Sequence, residues 1–270
     1  MQSQSNCTPI FKMGSDARTL GRIDLNISKA TRRIDSIDYA ALPVDESVPS
    51  EPLAAAIIGE FEKKLSAELD KPVGNTSVEL DAKQITSRSV ETNLGDFITD
   101  AFRAAVGADV TILNGGSIRS NTTYGPGALT KRDVLSILPF ENLIVKVEVK
   151  GATLRQALEH GVSKIAIETE VGAFPQVSGM SYSYDTRKPP GARLVEVKVN
   201  GQPLDDNKTY TLASGAYLLK GGDGYTMLKG LKYLIAEENA KVDAVIVSEA
   251  ITVAGTIAPK TEGRIRRVDQ

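Results

Sequence analysis

Two hydrophobic periods alternate along this chain and predict most of its elements. Leu94, Phe97, Ile98, Ala101, Phe102 and Ala105 recur at i, i+3, i+4 and i+7, so Asn93 to Val106 is expected to be an amphipathic helix. Leu53, Ile57, Phe61 and Leu65 recur every four residues with Glu and Lys between them, which predicts a connecting helix over roughly Pro52 to Leu69. Thr130-Lys-Arg-Asp133 has the form of a capping box opening a short helix that Pro139 stops. Thr153 to His160 reads as a helix ended by Gly161, and Val242, Ile246 and Ala250 mark a last one. Asp109 to Leu113 is a short apolar run, Ile144 to Val149 alternates, and Gly263 to Val268 closes the chain as a strand. Asn200-Gly201 after Val195 to Val199 is a hairpin signal and demands antiparallel pairing. Interleaved helices and strands with such a hairpin predict an α+β fold, a mixed β-sheet flanked by helices.

Before residue 45 the pattern is thinner. Pro9-Ile-Phe11 and Leu20-Gly-Arg-Ile23 read as short strands, while Asp35 to Asp38 carries turn formers. Leu42 to Pro52 also carries turn formers, and Pro43, Pro49 and Pro52 suit a linker. The expected organisation is residues 1–45 as one piece, 46–72 as linker and connecting helix, and 73–270 as one compact domain.

Composition narrows the class. The 270 residues are 41% hydrophobic and 24% charged, which suits a globular protein with a buried core. A net charge of −2 gives no basic face for nucleic acid. No apolar run approaches the roughly 20 residues of a membrane span. The N-terminus is polar without an apolar signal segment, and Cys7 alone excludes an internal disulfide framework. The expectation is either cytoplasm or a secreted protein whose leader has been removed.

Three loops hold the candidate chemistry. In Asn114-Gly-Gly-Ser-Ile-Arg119, Gly115 and Gly116 allow close backbone approach and N–H groups aimed at an anion, and Arg119 adds a bidentate phosphate contact. The plainer alternative is a tight turn with a surface arginine. No Gly-Lys-Ser/Thr follows, so the P-loop is excluded. Phe140 in Leu138-Pro-Phe-Glu-Asn142 and Tyr217 in Tyr217-Leu-Leu-Lys-Gly-Gly-Asp-Gly-Tyr225 supply two rings able to sandwich a purine, or to plug the core beside their loops. Asp223 can accept hydrogen bonds from vicinal hydroxyls, or serve as an ordinary turn aspartate. His160, the single histidine, ends a helix and suits its C-terminal dipole better than general-base work.

Five ordered pieces then carry a family resemblance. Arg88 with Glu91-Thr-Asn-Leu-Gly95, the Asn114–Arg119 loop, the Leu138–Asn142 loop, Gly151-Ala-Thr-Leu154 and Gly221-Gly-Asp-Gly-Tyr225 resemble the C-terminal, substrate-binding domain of the 5'-nucleotidase and UDP-sugar hydrolase family. The resemblance implies that Arg88 and Arg119 hold substrate phosphates, and that Phe140 and Tyr217 stack on the base. It implies that Asn114 and Asn142 bind the base edge or nearby groups, that Gly116 belongs to the same site, and that Asp223 holds the ribose hydroxyls. Many relatives carry phenylalanine where this chain has Tyr217. Residues 1–45, with Thr8-Pro-Ile and Gly14 to Asp24, resemble the end of the family's calcineurin-like metallophosphatase domain. That domain's metal-binding motifs are absent from this sequence. No cofactor is expected in this chain, and two divalent metal ions are implied in an N-terminal metallophosphatase domain of the same parent, which would be secreted, periplasmic or at the cell surface. The expected partner besides that domain is a nucleoside or nucleotide substrate. The alternative is a free-standing nucleotide-binding module without turnover.

Overall fold

The computed structural model describes residues 9–14, 17–165 and 171–269. Cys7, Thr8, Ser15 and Asp16 therefore lie outside the described residues. The chain divides into two compact units, residues 1–64 and 65–270.

In the first unit, β1 (Thr19–Ile27) and β2 (Ile34–Pro43) form an antiparallel ribbon running from the Thr19–Pro43 pair to the Ile27–Ile34 pair. The turn expected at Asp35 to Asp38 is instead inside β2. The reversal lies at Ser28 to Arg33, where Arg32 takes φ +55° and the Arg32 N–H donates to the Ser28 carbonyl. A continuous ladder to β1 outweighs the weak strand preference of Asp35 and Asp38. Pro9-Ile-Phe11 forms no strand; Phe11 stacks on Tyr39 with ring centroids 5.1 Å apart. Helix α1 (Pro52–Leu69) has the predicted bounds and no buried residue.

The second unit begins with β3 (Pro72–Thr76), α2 (Asn93–Val106), β4 (Val110–Asn114), β5 (Gly127–Thr130) and α3 (Lys131–Ile137). It continues through β6 (Leu143–Lys150), α4 (Gly151–Val162), β7 (Pro175–Ser178), β8 (Met180–Tyr184) and β9 (Leu194–Val199). The last part holds β10 (Gln202–Pro203), β11 (Thr209–Gly215), α5 (Ala216–Leu219) and β12 (Tyr233–Ile235). Helix α6 (Asp243–Ala254), β13 (Thr256–Ile257) and β14 (Ile265–Arg267) finish it.

The central sheet has the order β12-β6-β11-β4-β7 and is mixed: β4 and β11 are parallel, and the other neighbours antiparallel. Alternation places Val145, Val147 and Val149 of β6 in one core with Leu154 and Leu158 of α4. Ile144 faces the other core, with Ile98 and Phe102 of α2 and Ile246 and Ile251 of α6. The sheet is thus covered by helices on both faces, as predicted. A smaller sheet, β10-β9-β8-β14, adjoins it, and its Asn200-Gly201 turn has φ +50° and +77°, the left-handed pair a tight hairpin needs.

Local signals explain the helix ends. The Thr92 hydroxyl accepts the Gly95 N–H at the start of α2, and Gly107 at φ +60° closes its end. At α3 the capping box is complete: Thr130 Oγ1 accepts the Asp133 N–H (3.2 Å), and Asp133 Oδ2 accepts the Thr130 N–H (2.8 Å). Gly161 does not end α4, which runs to Val162. A Cβ there would meet the Pro175 ring at 2.6 Å and the Tyr225 hydroxyl at 2.8 Å, so this glycine serves close packing of helix on strand.

Candidate functional site

Topology brings the three loops to one edge of the central sheet. Strands β4 and β11 run parallel, so the loops that follow them, from Gly115 and from Ala216, leave at the same edge. Strand β6 is antiparallel to β11, with Ile144 opposite Gly215, so the Leu138–Asn142 loop enters there. Strand β7 is antiparallel to β4, with Pro175 opposite Asn114, which adds the segment before Pro175.

A cavity of about 410 Å³ opens at this edge, a volume within the range of small-ligand sites. Arg88, Asn114, Gly116, Arg119, Phe140, Asn142, Tyr217 and Asp223 all line it. Phe140 is 54% exposed and Tyr217 46%, so neither ring plugs the core. Ser117 and Gly172 line it too. Ser117 sits inside the Asn114–Arg119 motif and was within reach of sequence reasoning; nothing in the sequence marked Gly172.

Several of these residues are braced by the chain around them. Gly115 packs so tightly on the Ser87 carbonyl that a Cβ would come within 2.1 Å of it, and this contact brings Arg88 beside the β4 loop. The glycine N–H groups do not face an anion, however. The Gly115 N–H donates to the Phe174 carbonyl (2.7 Å) and the Gly116 N–H to that of Gly172 (2.8 Å), so the anion nest expected there is already spent on the chain. Gly116 contributes close approach alone. The Arg119 guanidinium lies over the Phe140 ring, 5.5 Å from its centroid, a cation–π contact joining two of the loops. The Asn142 carbonyl accepts the Asp243 N–H (2.9 Å) at the start of α6. Asp243 is buried, and burial pushes its carboxyl above the ordinary range against hydrogen bonds from Ala244 and Asn142.

Asp223 is the most constrained of the group. Its backbone is left-handed, φ +48° and ψ 23°. Oδ2 accepts from Asn114 Nδ2 (2.7 Å), whose Oδ1 in turn accepts from Ser117 Oγ (2.6 Å). Oδ1 accepts from the Tyr217 hydroxyl (2.8 Å). The Asp223 carbonyl lies 2.8 Å from His160 Nε2; a carbonyl only accepts, so that nitrogen carries the proton. His160 is in the last turn of α4 as expected, but its ring serves this loop and meets Tyr225 edge-on at 4.9 Å. Among the described residues, no group of three or more His, Cys, Asp or Glu side chains could hold a metal ion, and no helix is long and apolar enough to cross a membrane.

The cavity gathers cationic, aromatic and anionic side chains at one edge of the sheet. The family described as "5'-nucleotidase, C-terminal domain" matches residues 72–230. The trifunctional nucleotide phosphoesterase protein YfkN of Bacillus subtilis is 35% identical over 260 residues, covering 92% of this chain and 17% of that protein. A snake venom 5'-nucleotidase of Naja atra is 31% identical over 277 residues, covering 95% of this chain and 51% of its own. Among solved structures, the 5'-nucleotidase precursor of Thermus thermophilus superposes with a TM-score of 0.77 at 28% identity, covering 94% of this chain and 50% of that one. The chain therefore spans about half the length of two of these relatives and much less of the third.

Proposed function

The chain belongs to the 5'-nucleotidase C-terminal domain family, and from that premise we propose that it is the nucleoside-phosphate-binding part of a metal-dependent phosphohydrolase. The observation that carries the reading is the convergence of all eight candidate residues on one cavity. In this reading Phe140 and Tyr217 stack on the base, and Asn114 and Asn142 bind its edge or nearby groups. The Asp223 carboxylate accepts from the ribose hydroxyls, and Arg88 and Arg119 meet the phosphate. An ionised Asp223 would repel phosphate, so it and the arginines address opposite ends of the ligand.

The described residues do not fit a pair of metal ions, so no chemical step is assigned to them. Two divalent ions would belong to a metallophosphatase domain of the same parent, where they would supply the nucleophile that attacks phosphorus. This chain's work is to bind and orient the substrate. The first unit supports that partnership. Leu20, Leu25 and Ile27 of β1 and Ile34 of β2 are exposed on a two-stranded ribbon, which is marginal by itself and suits the edge of a larger sheet. Residues 1–45 then belong to the metallophosphatase domain, 46–72 to the connection, and 73–270 to the binding domain. The snake venom relative supports a parent that works outside the cytoplasm.

Calorimetric titration of the chain with AMP, adenosine, UMP and UDP-glucose tests the reading. Saturable binding of at least one nucleoside or nucleotide is expected, with no hydrolysis on adding manganese or zinc. Absence of heat with all four would reject it.

A further inference from the structure

The Tyr217 hydroxyl has a geometry that base stacking does not require. It donates to Asp223 Oδ1 (2.8 Å) and at the same time accepts the Asp223 backbone N–H (3.1 Å). One phenol thus closes a ring across six residues, from helix α5 to the tip of the glycine loop. The loop is shaped to allow this: a Cβ on Gly222 would come within 2.4 Å of the Tyr217 ring, so the backbone passes directly beneath it. Asp223 itself holds a left-handed backbone, which costs a non-glycine residue free energy unless neighbours enforce it. Asn114 and His160 hold two other points of the same residue, its Oδ2 and its carbonyl. The hydroxyl fixes the remaining two.

We propose that Tyr217 is a bifunctional residue, whose ring contacts the ligand while its hydroxyl positions Asp223 to select ribonucleosides over deoxy ligands. This rests on the nucleoside reading above. The carboxylate oxygens keep free lone pairs beyond the bonds from Tyr217 and Asn114, since each can accept more than one hydrogen bond. Their direction is therefore set before a sugar arrives, and ordering Asp223 is not charged against binding. Hydrogen bonding to Asp223 raises the Tyr217 phenol above its ordinary value, so it stays a donor through neutral pH. A phenylalanine here would keep the stacking surface and lose the tether.

The test compares the full chain with its Tyr217→Phe variant. Calorimetry is run with adenosine and with 2',3'-dideoxyadenosine, and amide hydrogen exchange is followed at Asp223 without ligand. Tyr217→Phe should lose about tenfold in adenosine affinity, the scale of a hydrogen bond to a charged group, and change dideoxyadenosine by less than about twofold. The Asp223 amide should exchange faster in the variant. Equal loss for both ligands, or adenosine affinity unchanged, would overturn the positioning role. A wild-type chain that binds neither ligand would overturn the nucleoside reading and this proposal together, whereas wild-type adenosine binding that survives Tyr217→Phe overturns this proposal alone.

Discussion

Asp96 gives the sharpest test of the physical account, because a buried carboxyl must declare its protonation state in the stability curve. It lies in the first turn of α2 and is only 2% exposed. No N–H or hydroxyl donor reaches either oxygen, Arg264 Nε stays 3.7 Å away, and the carboxyl's partner is the Glu91 carboxylate, to which Asp96 can donate only when protonated. Arg264 instead makes a two-pronged pair with Asp100, at 2.9 and 2.8 Å, and a further pair with Glu262 at 2.9 Å. Glu91 accepts backbone N–H groups from Glu262, Gly263 and Ile265; against the burial that opposes it, these bonds and the neighbouring Asp96 carboxyl hold Glu91 below its ordinary value. Burial, then the Glu91 carboxylate, push Asp96 up to about 8, with Arg264 pulling the other way. The folded chain therefore keeps a proton that the unfolded chain loses near pH 4. Its stabilising contribution is complete below that point, declines as pH rises towards about 8, and is flat beyond. One retained proton corresponds to a slope of about 1.4 kcal/mol per pH unit, hence up to about 3 kcal/mol between pH 5 and 7.5. Asp96→Asn keeps the shape and removes the titration. Urea unfolding at pH 5.0 and 7.5, followed by tyrosine fluorescence since the chain has no tryptophan, should show wild type losing stability with pH while the variant loses about 3 kcal/mol less. Identical pH slopes for the two proteins would refute a protonated Asp96.

Gly161→Ala should destabilise the chain by about 1–3 kcal/mol in the same unfolding assay, since its methyl has no room between Pro175 and Tyr225. Phe140→Ala should weaken adenosine by about 1–3 kcal/mol in calorimetry with little loss of stability, because the ring is more than half exposed. Arg119→Ala should weaken AMP more than adenosine, and added salt should mimic it weakly; equal losses would show that the site is divided differently. Asp223→Ala should penalise adenosine more than 2'- or 3'-deoxyadenosine, and equal penalties would detach Asp223 from the sugar.

Much of the fold was legible because local signals and packing agree. The bounds of α1 and α2 follow from their four-residue periods, the start of α3 from Thr130 and Asp133, and the β9–β10 turn from Asn200-Gly201. What failed did so where tertiary contact overrides local preference. Asp35 to Asp38 looks like a turn and is held extended by its ladder to β1, and Gly161 looks like a helix stop and is a packing contact. The candidate site residues were legible as motifs, while their mutual support was not. Nothing in the sequence couples Tyr217 to Asp223, His160 to the Asp223 carbonyl, or the Gly115 and Gly116 N–H groups to the 172–174 segment. The Tyr217 bond exists only once the 217–225 loop folds back on itself, the His160 bond once that loop lies on α4, and the glycine bonds once β7 pairs with β4.

The proposed function requires one nucleoside to bridge the three loops of this cavity. Titrating adenosine into the isotope-labelled chain and following backbone amide shifts tests it most directly. A bridging nucleoside gives saturable shifts concentrated in residues 114–119, 140–142 and 217–225. Shifts confined to one of these segments, centred elsewhere in the chain, or absent at millimolar adenosine would contradict it.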